Sequence, residues 1–274
     1  MSATPFFIVS SGRSGTAMLH KALSALPNVE MHHEYMVHHI QPLAVRRYWG
    51  SATSEETRTL LNDTYGAAVH YCERSYWGDS SNKVSWLIPE LAALFPSAKF
   101  VHLVRDGRKV AGSYFHKLGE ECYDPASAEI LRAHLENGAP MPPPEKKYWW
   151  PRPKPNDPMH KAFDRFCQFE RMAWHWSEIN HVILNDLAPV SENRKHFVRL
   201  EDLRDDQALL RALYNFLELP YSDEAFALFQ RPHNVNRPED KLLTDAQREQ
   251  FEAIAGPMMT RLGYAGRAEY VVNY

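Results

Sequence analysis

Residues 5–27, PFFIVSSGRSGTAMLHKALSALP, decide the fold, and the rest of the chain is read outward from them. Pro5 to Ser10 is rich in β-formers with little alternation, the pattern of a strand buried on both faces in a parallel sheet. Ser11-Gly12-Arg13-Ser14-Gly15 then forms a turn. Thr16 to Leu26 carries Ala17, Leu19, Ala22, Leu23 and Leu26 at helical spacing until Pro27 stops the run. A strand that ends in a glycine turn and opens a helix aims free backbone N–H groups and the positive end of the helix dipole at one point, which suits a phosphate or a sulfate. Gly12 and Gly15 permit unusual torsions and close approach of a ligand. Arg13 adds a charged fork, and Ser14 and Thr16 add hydroxyl donors. The nucleoside-triphosphatase loop requires GxxxxGK[ST], and this turn has neither that spacing nor a Gly-Lys pair, so triphosphate with magnesium is disfavoured. A glycine turn alone is a weak signal, because many tight strand–helix turns bind nothing.

Beyond this unit, Asn28–Met31 reads as a second strand, and 38–49 and 55–72 as helices. Lys83–Trp86, Leu87–Phe95, Lys99–Val104 and Asp106–Leu118 read as strand, helix, strand and helix. The alternation predicts an α/β fold with a central parallel sheet, helices on its faces and right-handed crossovers. Lys99-Phe-Val-His-Leu-Val-Arg105 places an arginine at the carboxyl end of an apolar strand, with Ser113 eight residues later on the next helix. Both can face one ligand at the sheet edge. The ordinary readings are a strand-end salt bridge for Arg105, with Asp106 or Glu201, and a helix serine bonded to its own backbone for Ser113.

Regularity collapses between Glu120 and His160, and eight prolines between 140 and 158 preclude a regular helix there. The tract holds Tyr148, Trp149 and Trp150, so residues 120–160 are expected to be an ordered Pro- and aromatic-rich insert covering a single domain that spans 1–274. A surface excursion without function is the competing reading. Phe169, Met172, Trp176, Ile179 and Ile183 form a stripe at helical spacing that reads as core. His196–Leu200 is a further strand, Glu201–Leu217 a helix and Thr244–Leu262 a last helix.

At 274 residues with a net charge of −3 and pI near 6.5, the chain has no global basic field to hold nucleic acid or an anionic membrane, so anion binding must be local. Cys72, Cys122 and Cys167 are odd in number and far apart, which fits a reducing compartment. The apolar start lacks a basic lead and no long apolar run follows, so a cytoplasmic protein is expected. His32, His33, His38 and His39 lack the i, i+4 spacing of the familiar zinc helix, and no metal is expected.

SGRSGT, the ALPNVEMHHE segment (25–34) and LFPSAKFVHLVRDGR (94–108) together resemble the PAPS-dependent sulfotransferases, most closely the tyrosylprotein-sulfotransferase branch and its bacterial relatives. FVRLEDL at 197–203 is similar to that family's "RYEDL" segment. The resemblance covers residues 5 to 117 well and is absent from 120 to 160. It implies the P-loop-like sulfotransferase fold and sulfuryl transfer from 3'-phosphoadenosine-5'-phosphosulfate (PAPS) to an acceptor hydroxyl on a small molecule or peptide, leaving 3'-phosphoadenosine-5'-phosphate (PAP). Carried over by position, Gly12, Arg13, Ser14, Gly15, Thr16 and Ala17 form the 5'-phosphosulfate loop, with Ala17 standing where relatives have a second hydroxyl. Arg105 and Ser113 hold the 3'-phosphate, and Arg237 contacts phosphate from a loop before the last helix. Glu34 is the general base, with His33 as competitor, and Lys83 with Arg13 offsets charge on the departing oxygen. Two other functions compete: a kinase-like phosphotransferase using ATP, with Asp106 closing a Walker-B-like strand, and a PAP-binding module without turnover.

Overall fold

Thr4–Val9 (β1) is buried at almost every residue, as its unbroken apolar run demands, and it lies at the centre of a five-stranded sheet. The other strands are β2 (Val29–His33), β3 (Tyr76–Ser80), β4 (Lys99–Val104) and β5 (Lys195–Arg199), in spatial order β2-β3-β1-β4-β5. All four pairings are parallel. In this computed structural model residues 3–230 and 242–269 are described. In chain order the helices are α1 (Thr16–Ser24), α2 (Val37–Trp49), α3 (Ser54–Leu61), α4 (Ala67–Tyr71), α5 (Ile88–Leu94), α6 (Gly107–Leu118), α7 (Pro125–Asn137), α8 (His160–Phe163), α9 (Gln168–Leu187), α10 (Leu200–Asp205), α11 (Gln207–Leu217), α12 (Asp223–Gln230) and α13 (Asp245–Arg261).

Contacts group the chain into two compact units, one formed by Met1–Met36, Ser54–Arg105 and Val182–Val235, the other by Val37–Thr53, Asp106–His181 and Asn236–Tyr274. The first holds the whole sheet. On one face of that sheet Phe6, Ile8, Val101 and Leu103 pack with Leu19 and Leu23 of α1 and with Leu210, Leu213 and Tyr214 of α11. Register fixes where the strands stop: Ile8 lies beside Ser80, and Ser80 beside His33. The segments that follow β1, β2 and β3 therefore leave the sheet at one level, along its carboxyl edge.

Two elements differ from the sequence reading. β3 is Tyr76–Ser80, and Lys83–Trp86, expected as a strand, is a loop running into a 3-10 turn at Val84–Trp86. β3 carries Gly78 and Asp79, both unfavourable for a strand, which hid it. A Cβ at Gly78 would stand 2.3 Å from Phe6 and 2.6 Å from the sulfur of Met31, so packing across the sheet excludes any side chain there. The second difference is α7, a thirteen-residue helix inside the tract expected to be irregular. Asp124 caps it by accepting from the Ser127 N–H, Pro125 occupies its first turn, and Gly138 closes it at φ 68°.

The proline tract after α7 is ordered within the second unit. Trp149 is fully buried and packs with Val45 of α2 and Leu131 of α7, while its indole N–H donates to the Pro143 carbonyl at 2.7 Å. Gln41 donates to the Lys146 and Trp149 carbonyls at 3.2 and 2.6 Å. Trp150 packs edge-on against Tyr114 and His175. Trp149 and Trp150 thus belong to the core of their own unit, with half-buried Tyr148 packed against it. No helix among the described residues is long and apolar enough to cross a membrane.

Candidate functional site at the carboxyl edge of the sheet

The loop after β1 is braced by its own serines. Ser10 N–H donates to Ser85 Oγ at 2.9 Å, and Ser85 Oγ donates back to the Ser10 carbonyl at 3.0 Å. Gly12 N–H donates to Ser10 Oγ at 3.1 Å, Ser14 Oγ donates to the Gly12 carbonyl at 3.0 Å, and Ser11 and Ser14 hydroxyls lie 3.0 Å apart. Ser14, expected to donate to a ligand, is buried and spends its hydroxyl on the loop itself. Gly12, Arg13 and Gly15 have φ of 76°, 53° and 92°, a run of left-handed residues that bends the backbone into a cradle. The left-handed Arg13 costs of order 1 kcal/mol or more, which the bracing must offset. A side chain at Gly15 would be strained at φ 92°, and its Cβ would lie 2.6 Å from the Leu200 side chain. No side chain caps the start of α1; the Met18 and Leu19 N–H groups donate to the Gly15 carbonyl, and the helix opens beside half-buried Arg13 and buried Thr16. Ala17 is exposed on that turn.

Arg105 links the end of β4 to the loop after β1. It follows β4, the strand beside β1, and its guanidinium donates to the Arg13 carbonyl at 3.0 Å. The neighbouring Asp106 carboxylate accepts from the Arg108 guanidinium at 2.7 Å. The chain passes from β1 toward β2 on one side and from β4 toward β5 on the other. The junction between β1 and β4 is thus the point where strand order reverses, the usual ligand crevice of an open α/β sheet.

The loops after β2 and β3 supply the remaining pair. Lys83 is buried, with its N–H donating to Ser81 Oγ at 3.0 Å, and its ammonium lies 3.9 Å from Glu34 Oε1. Glu34 sits at φ 57°, with its N–H bonded to the Ser80 carbonyl at 3.2 Å. His33 turns the other way: its Nδ1 meets the carbonyl and hydroxyl of Ser80 at 2.8 and 2.9 Å, and its ring lies 5.8 Å from that of His20. Burial, together with His33, lowers the pKa of His20. Arg13, Glu34, Lys83 and Arg105 are therefore gathered in the first unit, at the ends of four neighbouring strands. Ser113 lies half-buried on α6 in the second unit, and Arg237 falls outside the described residues. Among the described residues no three His, Cys, Asp or Glu side chains converge as metal ligands would. Trp86 and Trp149 are both buried.

Residues 5–137 match the model of the sulfotransferase family. Over that stretch the sequence is similar to the sulfotransferase family. Solved structures share the fold across nearly the whole length at low identity. A sulfotransferase from Alicyclobacillus acidocaldarius is 14% identical, with 98% of each chain covered and a TM-score of 0.54. The sulfotransferase domain of the Synechococcus PCC 7002 olefin synthase is 17% identical, covering 98% of this chain and 96% of its own, at 0.51. Sulfotransferase STF9 from Mycobacterium avium is 15% identical, covering 100% of this chain and 79% of its own, at 0.51. No curated protein matches the chain significantly. The match to the sulfotransferase family starts at Pro5, in β1, and takes in the loop after it, Glu34, Lys83, Arg105 and Ser113.

Proposed function

We propose that this chain is a sulfotransferase that moves the sulfuryl group of PAPS onto a hydroxyl of its acceptor, with Glu34 as general base. The observation that carries the reading is the hydrogen bond from Arg105 to the Arg13 carbonyl, which sets two anion-binding motifs side by side at the switch of strand order. The residues suit a nucleotide with anions at both ends. The backbone N–H groups of the cradle and the Arg13 guanidinium take the 5'-phosphosulfate, and Arg105 takes the 3'-phosphate. PAPS supplies the activated sulfuryl group, and PAP leaves with the oxygen that carried it.

The Glu34–Lys83 pair divides the remaining work. Glu34 receives the proton of the acceptor hydroxyl as its oxygen closes on sulfur, and Lys83 faces the negative charge that gathers on the leaving oxygen. The 3.9 Å pairing sets the Glu34 carboxylate beside the Lys83 side chain at the end of the sheet. Positioning and electrostatics supply most of the acceleration in such an in-line displacement, with little covalent work for the protein. His33 is the lesser candidate for the base, since its Nδ1 is tied to Ser80 and its side chain turns toward His20.

Calorimetry with PAP in the presence of EDTA tests the reading. Binding without magnesium that is lost when the 3'-phosphate is removed supports it. A requirement for magnesium with indifference to the 3'-phosphate would indicate the ATP-using alternative, and absence of heat would sink the proposal. A screen of phenols, alcohols, sugars and tyrosine peptides with labelled PAPS separates an enzyme from a PAP-binding module.

A further inference from the structure

Directly behind the segment that carries Glu34, a carboxylate and a phenol are fully buried together. Asp79 lies in β3 and Tyr65 in a π-helical turn, Asn62–Gly66, between α3 and α4; neither has any exposed surface. Tyr65 donates its hydroxyl to Asp79 Oδ2 at 2.7 Å and also reaches the Tyr35 carbonyl at 3.3 Å. Asp79 Oδ1 accepts the Tyr35 N–H at 3.2 Å. Asp79 thus holds the Tyr35 N–H, and the Tyr35 carbonyl lies beside the Tyr65 hydroxyl, whose one proton goes chiefly to Asp79. The Tyr35 ring is held as well, edge-on against Tyr65 at 5.3 Å and Trp77 at 5.4 Å.

Tyr35 is flanked by Glu34 at φ 57° and Met36 at φ 50°, two left-handed residues that are not glycine. Such a backbone persists only where its surroundings over-determine it. A buried carboxylate is itself costly, and burial raises the pKa of Asp79 while the Tyr65 hydroxyl and Tyr35 N–H work against that rise. An apolar pair would fill the same space more favourably. What Asp79 and Tyr65 provide that an apolar pair could not is the fixed conformation of residues 34–36. The π turn belongs to this arrangement, because one extra residue per turn rotates the helix locally and brings Tyr65 onto Asp79.

We propose that Asp79 and Tyr65 are positioning residues for the reaction, holding the strained segment 34–36 so that the Glu34 carboxylate faces Lys83 and the acceptor. This rests on Glu34 being the base. The test measures PAP release from PAPS with water as acceptor, PAP affinity by calorimetry, and hydrogen exchange of the Tyr35 amide, in Glu34→Gln, Tyr65→Phe, Asp79→Asn and the Glu34→Gln/Tyr65→Phe double variant. Tyr65→Phe keeps the ring and is expected to slow turnover about 10- to 100-fold. It should speed exchange at Tyr35, leave PAP affinity unchanged, and add nothing on the Glu34→Gln background. Asp79→Asn, which keeps one oxygen for the Tyr35 N–H, should lose less. Losses that add in the double variant, or an unchanged rate in Tyr65→Phe, overturn the positioning role while leaving the base intact. An unchanged rate in Glu34→Gln overturns the base assignment, and this inference with it. If Tyr65→Phe fails to fold, Asp79→Asn with unaltered exchange at Tyr35 and full turnover overturns the proposal on its own.

Discussion

Arg105 is the residue on which the donor assignment turns, because it binds the loop backbone now and would bind the 3'-phosphate when the nucleotide is present. Arg105→Ala is expected to weaken PAP about 10- to 100-fold, the loss of one or two hydrogen bonds to a charged group. Adenosine 5'-phosphosulfate, lacking the 3'-phosphate, should lose much less; titrations showing equal losses would remove Arg105 from that role. Glu34→Gln keeps the shape of the side chain and removes its basicity. It should lower kcat about 10²- to 10⁴-fold with PAP affinity nearly unchanged. Steady-state kinetics of His33→Asn beside it decide between the two neighbours: a collapse in His33→Asn with activity retained in Glu34→Gln would transfer the role. Both residues could be named from sequence because the segment after the second strand was legible; only the direction each side chain takes required coordinates.

At the scale of elements, the proline tract shows what composition can and cannot convey. Three adjacent aromatics called for an ordered segment, and Trp149 is indeed fully buried, but against Val45 and Leu131 of its own unit. Trp149→Ala should therefore destabilise the protein by about 3–5 kcal/mol, read from urea unfolding. A cost below about 1 kcal/mol would mean that the contact is incidental. β1, α1, β4 and α6 were legible because their signals are local: an apolar run, a glycine turn, an arginine at a strand end. β3 was not, since Gly78 is dictated by Phe6 and Met31 across the sheet and Asp79 by Tyr65, and both reasons lie in distant parts of the chain. α7 was missed for another reason. Its Asp-Pro start and Asn-Gly end were present, but the prolines that follow drew the whole tract into one irregular reading.

For the whole molecule, the two units interleave, each assembled from three separate stretches, so no linker in the sequence marks a boundary. Stability of the first unit should depend on pH on the acid side. Burial lowers the pKa values of His20 and His196 in the folded chain below the ordinary value of about 6.5. As pH falls through that value the unfolded chain takes up protons first, so stability is present above it and declines from there down to the folded pKa values. Thermal melts between pH 7 and 5 should show this decline, and His20→Gln with His196→Gln should flatten it. An equally steep decline in the double variant would assign it to other groups.

β4 finds its outer neighbour, β5, only after Lys195 has been made. During synthesis, the apolar ribbon Phe100–Val104 therefore waits with one row of backbone donors and acceptors uncovered while the ribosome adds most of the second unit. A nascent chain stalled before that point is a template for pairing with its own copies. Fragments ending before Lys195 are expected to precipitate or bind chaperones, whereas those extending past Leu217 should stay in solution more readily.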